Sequence, residues 1–159
     1  LFNIYNQKDM ASTLTPSTFQ VKIKEEHVIK NVRTINETFY RIGNVTNVDR
    51  RIVTCPETTS INLVDFNGLN PGAGTFPSSS VRYARITNLD NSQSLAVTFE
   101  NSDGVYWTQD LTPTSSLMWA SSAVTGSQFD GGFSGSALTS VDVFAISASI
   151  DVEYVLVNA

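Results

Sequence analysis

The chain has 159 residues, of which 41% are hydrophobic and only 16% charged, with one cysteine, one histidine and a net charge of −5. That length suits one domain whose core needs no disulfide staples, and a lone cysteine suits folding in a reducing compartment. Thinly spread Lys and Arg argue against nucleic acid, and no apolar run approaches the ~18 residues of a membrane helix, so neither partner is expected.

Residues 1–17 read as an extended N-terminal arm or edge strand, and 18–159 as a single β-sandwich domain. In the arm, Phe2, Ile4 and Tyr5 are apolar but lie outside any long pattern. They are the candidate partner-binding residues, anchors that a neighbouring subunit would bury. Met10-Ala11-Ser12 also has the look of a translation start, which would make the first nine residues an appendage.

Beyond the arm, Phe19, Val21 and Ile23 alternate with Gln20, Lys22 and Lys24, the period of two that leaves one strand face wet. Lys24-Glu25-Glu26-His27 reads as a turn, and strands are expected at 28–35 and 39–45. Asn47-Val48-Asp49 reads as a further turn before strands at 51–55 and 58–66. Three glycines and two prolines make 67–77 an irregular loop.

Strands follow at 83–88, 95–100, 105–111 and 117–121, then a glycine-rich loop at 126–136 and closing strands at 141–146 and 150–157. Asn101-Ser102-Asp103-Gly104 supplies residues that tolerate a left-handed backbone in a tight reversal. Nine to eleven short strands at this spacing predict an all-β sandwich, with a jelly roll as one form and no helix longer than two turns.

Candidate chemistry is sparse. Any Ser-His-Asp or Cys-His mechanism must pass through His27, and Gly131–Ser136 lacks the spacing of a nucleophile elbow, so no catalytic residues are expected. One histidine and one cysteine make a poor zinc set, and Asp90, Asn91 and Asp103 lack the spacing of a calcium loop. No metal or cofactor is therefore expected. Glu57, Asp65, Glu100, Asp110 and Asp130 offer carboxylates for glycoside cleavage but fall where turns ordinarily place them. Tyr106, Trp107 and Trp119 would suit a sugar-stacking platform, although the pattern places both tryptophans in the core. Cys55 reads as a half-buried strand-end residue.

Several phrases carry a resemblance. They are Thr15-Pro16-Ser17-Thr18-Phe19, Lys24-Glu25-Glu26-His27-Val28, Asn47-Val48-Asp49-Arg50-Arg51-Ile52 and Tyr83-Ala84-Arg85-Ile86-Thr87-Asn88-Leu89-Asp90. From Met10 onward the chain resembles virion structural proteins of marine tailed bacteriophages, particularly cyanophages. The resemblance implies a non-enzymatic β-sandwich present in many copies on the particle, such as a capsid decoration (cement) protein. It implies the major capsid protein or other virion proteins as partners, a homo-oligomer, and assembly into virions in the host cytoplasm. A tail or fibre module binding host glycans and a carbohydrate-binding module are the rival readings. The second of these would need a secretory leader, and no charged-then-apolar leader opens the chain.

Overall fold

The computed structural model describes residues 17–66, 81–120 and 138–159. They form ten strands: β1 (Ser17–Ile29), β2 (Val32–Val45), β3 (Asn47–Cys55), β4 (Ser60–Asp65), β5 (Val81–Asn88), β6 (Leu95–Asn101), β7 (Tyr106–Leu111), β8 (Ser116–Ala120), β9 (Leu138–Ala145) and β10 (Ile150–Asn158). Both loops expected from their glycines, 67–77 and 126–136, lie outside the described residues.

Strands β3 to β10 make two four-stranded sheets, ordered β3-β10-β5-β8 and β4-β9-β6-β7, with every ladder antiparallel. The chain changes sheet at each connection except β6 to β7. Four of the ladders are nested, β6 with β7, β5 with β8, β4 with β9 and β3 with β10. A long hairpin rolled up in this way is a jelly roll.

Alternation explains which side of each sheet is dry. Val152, Tyr154 and Leu156 of β10 and Ile86 of β5 face Val97 and Phe99 of β6 and Val141 and Val143 of β9, all almost fully buried. Each large apolar side chain removed from water in this way contributes roughly 1.5–3 kcal/mol. Cys55 closes β3 and is fully buried, deeper than its sequence suggests, and burial pushes its thiol pKa up.

Two turn readings and one strand reading need correction. Lys24–His27 lies inside β1, paired residue for residue with 34–37 of β2. The strand expected at 28–35 is cut by a two-residue reversal, because Lys30 (φ 48°) and Asn31 (φ 64°) are both left-handed, as a tight hairpin of this twist requires. Asn47–Asp49 belongs to β3, where the ladder to β10 runs unbroken from Asn47–Asn158 to Cys55–Ile150.

The β1–β2 hairpin stands apart from both sheets. Its base packs on the outer face of the first sheet, where Ile42 and Val45 are buried with Tyr83, Val155 and Val157, and Phe19, Val21 and Tyr40 lie against them. The Phe19 and Tyr83 rings sit 5.5 Å apart. Past that base the hairpin leaves the body as a ribbon.

Candidate assembly surface

Every residue from Lys22 to Phe39 is exposed, on both faces of the ribbon. At ~3.4 Å per residue, its eight outer register steps span roughly 25 Å. An isolated two-stranded hairpin is marginal in water, and surface ion pairs add little to it. Here they are Lys22–Glu37 at 2.9 Å, Arg33–Glu26 at 2.6 Å and Lys24–Glu26 at 3.7 Å.

The register separates two faces. Phe19, Val21, Ile23, Glu25, His27 and Ile29 share one face with their β2 partners, and its base rests on the body. The other face points outward. It carries all four cations of the ribbon strands, Lys22, Lys24, Arg33 and Arg41, with Glu26, Glu37, Val28, Ile35 and Phe39 among them. Lys22 lies over the Phe39 ring, 5.5 Å from its centroid. At the tip, Val28, Ile29 and Val32 are 62%, 61% and 64% exposed. Three large aliphatic side chains thus stand in water at the reversal.

Two recesses flank the ribbon base. One, of about 330 Å³, is lined by Phe19, Val48, Arg50, Tyr83, Arg85 and Val155. Beneath it the nearly buried Glu153 carboxylate binds Arg50 at 2.5 Å and also Arg85. The other, of about 180 Å³, is apolar and lies between Ile23 and Tyr40 of the ribbon and Met118 and Trp119 of β8.

Asn88 and Asp90 hold the turn that follows β5. Asn88 is fully buried, and its amide nitrogen donates to the carbonyls of Gln93 (2.8 Å) and Leu111 (3.0 Å) while its oxygen accepts from the Asp90 amide (2.9 Å). The Asp90 carboxylate accepts from the amides of Ser92 and Gln93, both at 2.7 Å, and these bonds hold its pKa below the usual carboxylate range. These bonds, and one from the Ser92 hydroxyl at 3.0 Å, all fall on Oδ1, which thereby closes the turn. At the sandwich margin the Tyr154 hydroxyl donates to Asp49 (3.1 Å), which also takes the Arg51 guanidinium (3.1 Å). Burial, with the Asp49 carboxylate beside it, pushes the Tyr154 phenol up to about 12.

The other sequence candidates separate in space. Phe2, Ile4, Tyr5 and Asp130 lie outside the described residues. His27 sits on the exposed ribbon opposite Thr34. Glu100 and Asp110 share the outer face of the second sheet, but the register sets them four residues apart along the strands, roughly 14 Å. Paired glycosidase carboxylates lie within about 9.5 Å. Trp107 stacks on buried Phe99 (5.2 Å) at the core margin, 40% exposed, and Trp119 meets the same ring edge-on (5.7 Å) from the other sheet. Tyr106 points the opposite way from Trp107, so the three aromatics form no common platform. Among the described residues no three His, Cys, Asp or Glu side chains gather as a metal site.

Sequence reasoning passed over Val28, Ile29, Val32, Ile35 and Phe39. Their signal was present: apolar residues flanking Lys30-Asn31 within an otherwise charged stretch. No protein-family model matches the chain, and no curated protein is measurably similar to it.

Proposed function

We propose that the protein is a non-enzymatic virion component, a decoration (cement) protein that holds to a capsid shell and to its own copies by repeated contacts. The observation that carries this reading is the ribbon: eighteen consecutive exposed residues presenting an apolar tip on a self-sufficient jelly roll. A ribbon with no partner would be trimmed at no cost to the core, whereas docked on a neighbour its apolar side chains gain the burial they lack. The jelly roll serves capsid proteins, lectins and cupins alike, so the fold alone does not choose among them. The phage-protein resemblance adds the choice of a virion. Many weak contacts on one particle then sum through avidity.

The test compares two variants for incorporation into purified particles. One replaces residues 26–35 by Asn-Gly, closing the hairpin on the Glu25–Asn36 pair, which has the same hydrogen-bonding phase as Ile29–Val32. The other deletes residues 1–9 and with them Phe2, Ile4 and Tyr5. Lost incorporation of the shortened ribbon with unchanged melting supports the reading. Full incorporation of both variants contradicts it, as does location of the protein on tail fibres with binding to host glycan.

A further inference from the structure

Charge is sorted between the two sides of this molecule. Every Lys and Arg among the described residues lies on the hairpin or on β3 and β5 of the first sheet. The hairpin, including its turn, holds five cations (Lys22, Lys24, Lys30, Arg33, Arg41) against three anions (Glu25, Glu26, Glu37), in a chain of net charge −5. Strands β4, β9, β6 and β7 of the second sheet contain no Lys or Arg at all.

The outer face of that second sheet is acidic. Alternation puts Asp142, Glu100 and Asp110 on it, together with Thr98, Thr108 and Ser140. Asp142 is held by the Asn62 amide (3.0 Å) and the Ser140 hydroxyl (3.4 Å), neutral groups that leave its charge uncompensated. Tyr106, 72% exposed, and half-buried Phe144 give the same face apolar footholds. The ribbon's outward face is its counterpart: Lys22, Lys24, Arg33 and Arg41 surround Val28, Ile35 and Phe39, and against the two carboxylates on that face, Glu26 and Glu37, these four cations leave it net positive.

These surfaces lie on opposite sides of the sandwich, since the hairpin base covers the outside of the first sheet. One molecule therefore cannot satisfy its own complementarity. We propose that the ribbon's outward face docks on the acidic face of a second copy, giving a head-to-tail contact between copies. Such a contact uses different surfaces on its two sides, so it propagates into rings or rows instead of stopping at a two-fold dimer. Like-charged surfaces would be excluded from the same site, which fixes the direction of stacking. The inference names a partner for the ribbon and rests on its reading as an assembly device.

The experiment uses the full chain and analytical ultracentrifugation. At about 0.01 M salt the screening length is roughly 30 Å and self-association rising with concentration is expected; at about 1 M, where it is ~3 Å, monomer is expected. Glu100→Lys with Asp110→Lys, and separately Lys24→Glu with Arg41→Glu, should each weaken association at least about tenfold at unchanged melting temperature. An equimolar mixture of the two variants should restore it, because each then meets its complement. A monomer at low salt overturns the proposal, as does association that survives the sheet-face reversal or a mixture that fails to rescue. If the wild type stays monomeric while the shortened ribbon still loses incorporation into particles, self-docking fails and the virion reading stands.

Discussion

Ile29 and Val32 face each other across the two-residue turn at the ribbon tip, and both are more than 60% exposed. A cross-strand aliphatic pair usually marks the dry side of a hairpin. Here the pair closes a strand reversal that no other described strand covers, so what it gains from the fold is small and what it could gain from a partner is large.

Replacing Val28, Ile29 and Val32 together by Thr should therefore leave the folded domain almost untouched, within about 0.5 kcal/mol per site, because β-branched residues are kept and little burial is lost. Incorporation into particles should fall. His27→Ala on the same ribbon is the control and should change neither quantity. Denaturant melts beside particle co-sedimentation check both.

Asn88→Ala should cost about 2–3 kcal/mol, since it leaves the carbonyls of Gln93 and Leu111 and the Asp90 amide without their shared partner. Urea unfolding measures it. A loss below about 0.5 kcal/mol would mean that water replaces the amide freely.

Glu153→Gln tests the ion pairs under the larger recess. Two guanidiniums would lose their carboxylate, but Arg50 is 68% exposed and can turn to solvent. The expected loss is roughly 1–3 kcal/mol, below that of a fully enclosed pair. It should fall mainly on Arg85, and Arg50→Ala alone should cost less than Glu153→Gln in the same urea series.

Alkaline pH should find Tyr154. Its folded pKa, about 12, lies above the ordinary value of 10, so the folded state holds the phenolic proton more tightly than the unfolded chain does. The stability that follows is complete below pH 10 and is lost as pH rises towards 12. Tyr154→Phe should be less stable at neutral pH by about 1 kcal/mol through the lost bond to Asp49, and should lose less of its remaining stability than wild type over that alkaline window. Melting temperatures of both proteins across the window decide it.

The sandwich was legible where one face of a strand is dry. Leu95, Val97 and Phe99 alternate because the core stands on one side only, and the same holds for Phe19 and Val21 at the hairpin base. The ribbon was not legible, because a strand exposed on both faces has no alternation to read: Lys24–His27 looks like a turn when its partners 34–37 are unknown. The Lys30-Asn31 reversal escaped because it lacks the glycine that usually marks it. Asp49 looked like a turn residue until β10 brought Tyr154 to it. The sorting of charge lies open in the sequence, yet it becomes a surface only once β4, β9, β6 and β7 are known to share a sheet. The arm anchors Phe2, Ile4 and Tyr5 keep their role as a proposal.

The most direct measurement is a three-dimensional reconstruction, from electron micrographs, of purified particles carrying this protein. The account predicts regularly repeated copies on the outside of the capsid shell, with the ribbon of each buried against a neighbouring protein. Copies confined to the tail fibres, or a ribbon standing free in solvent at every position, would contradict it.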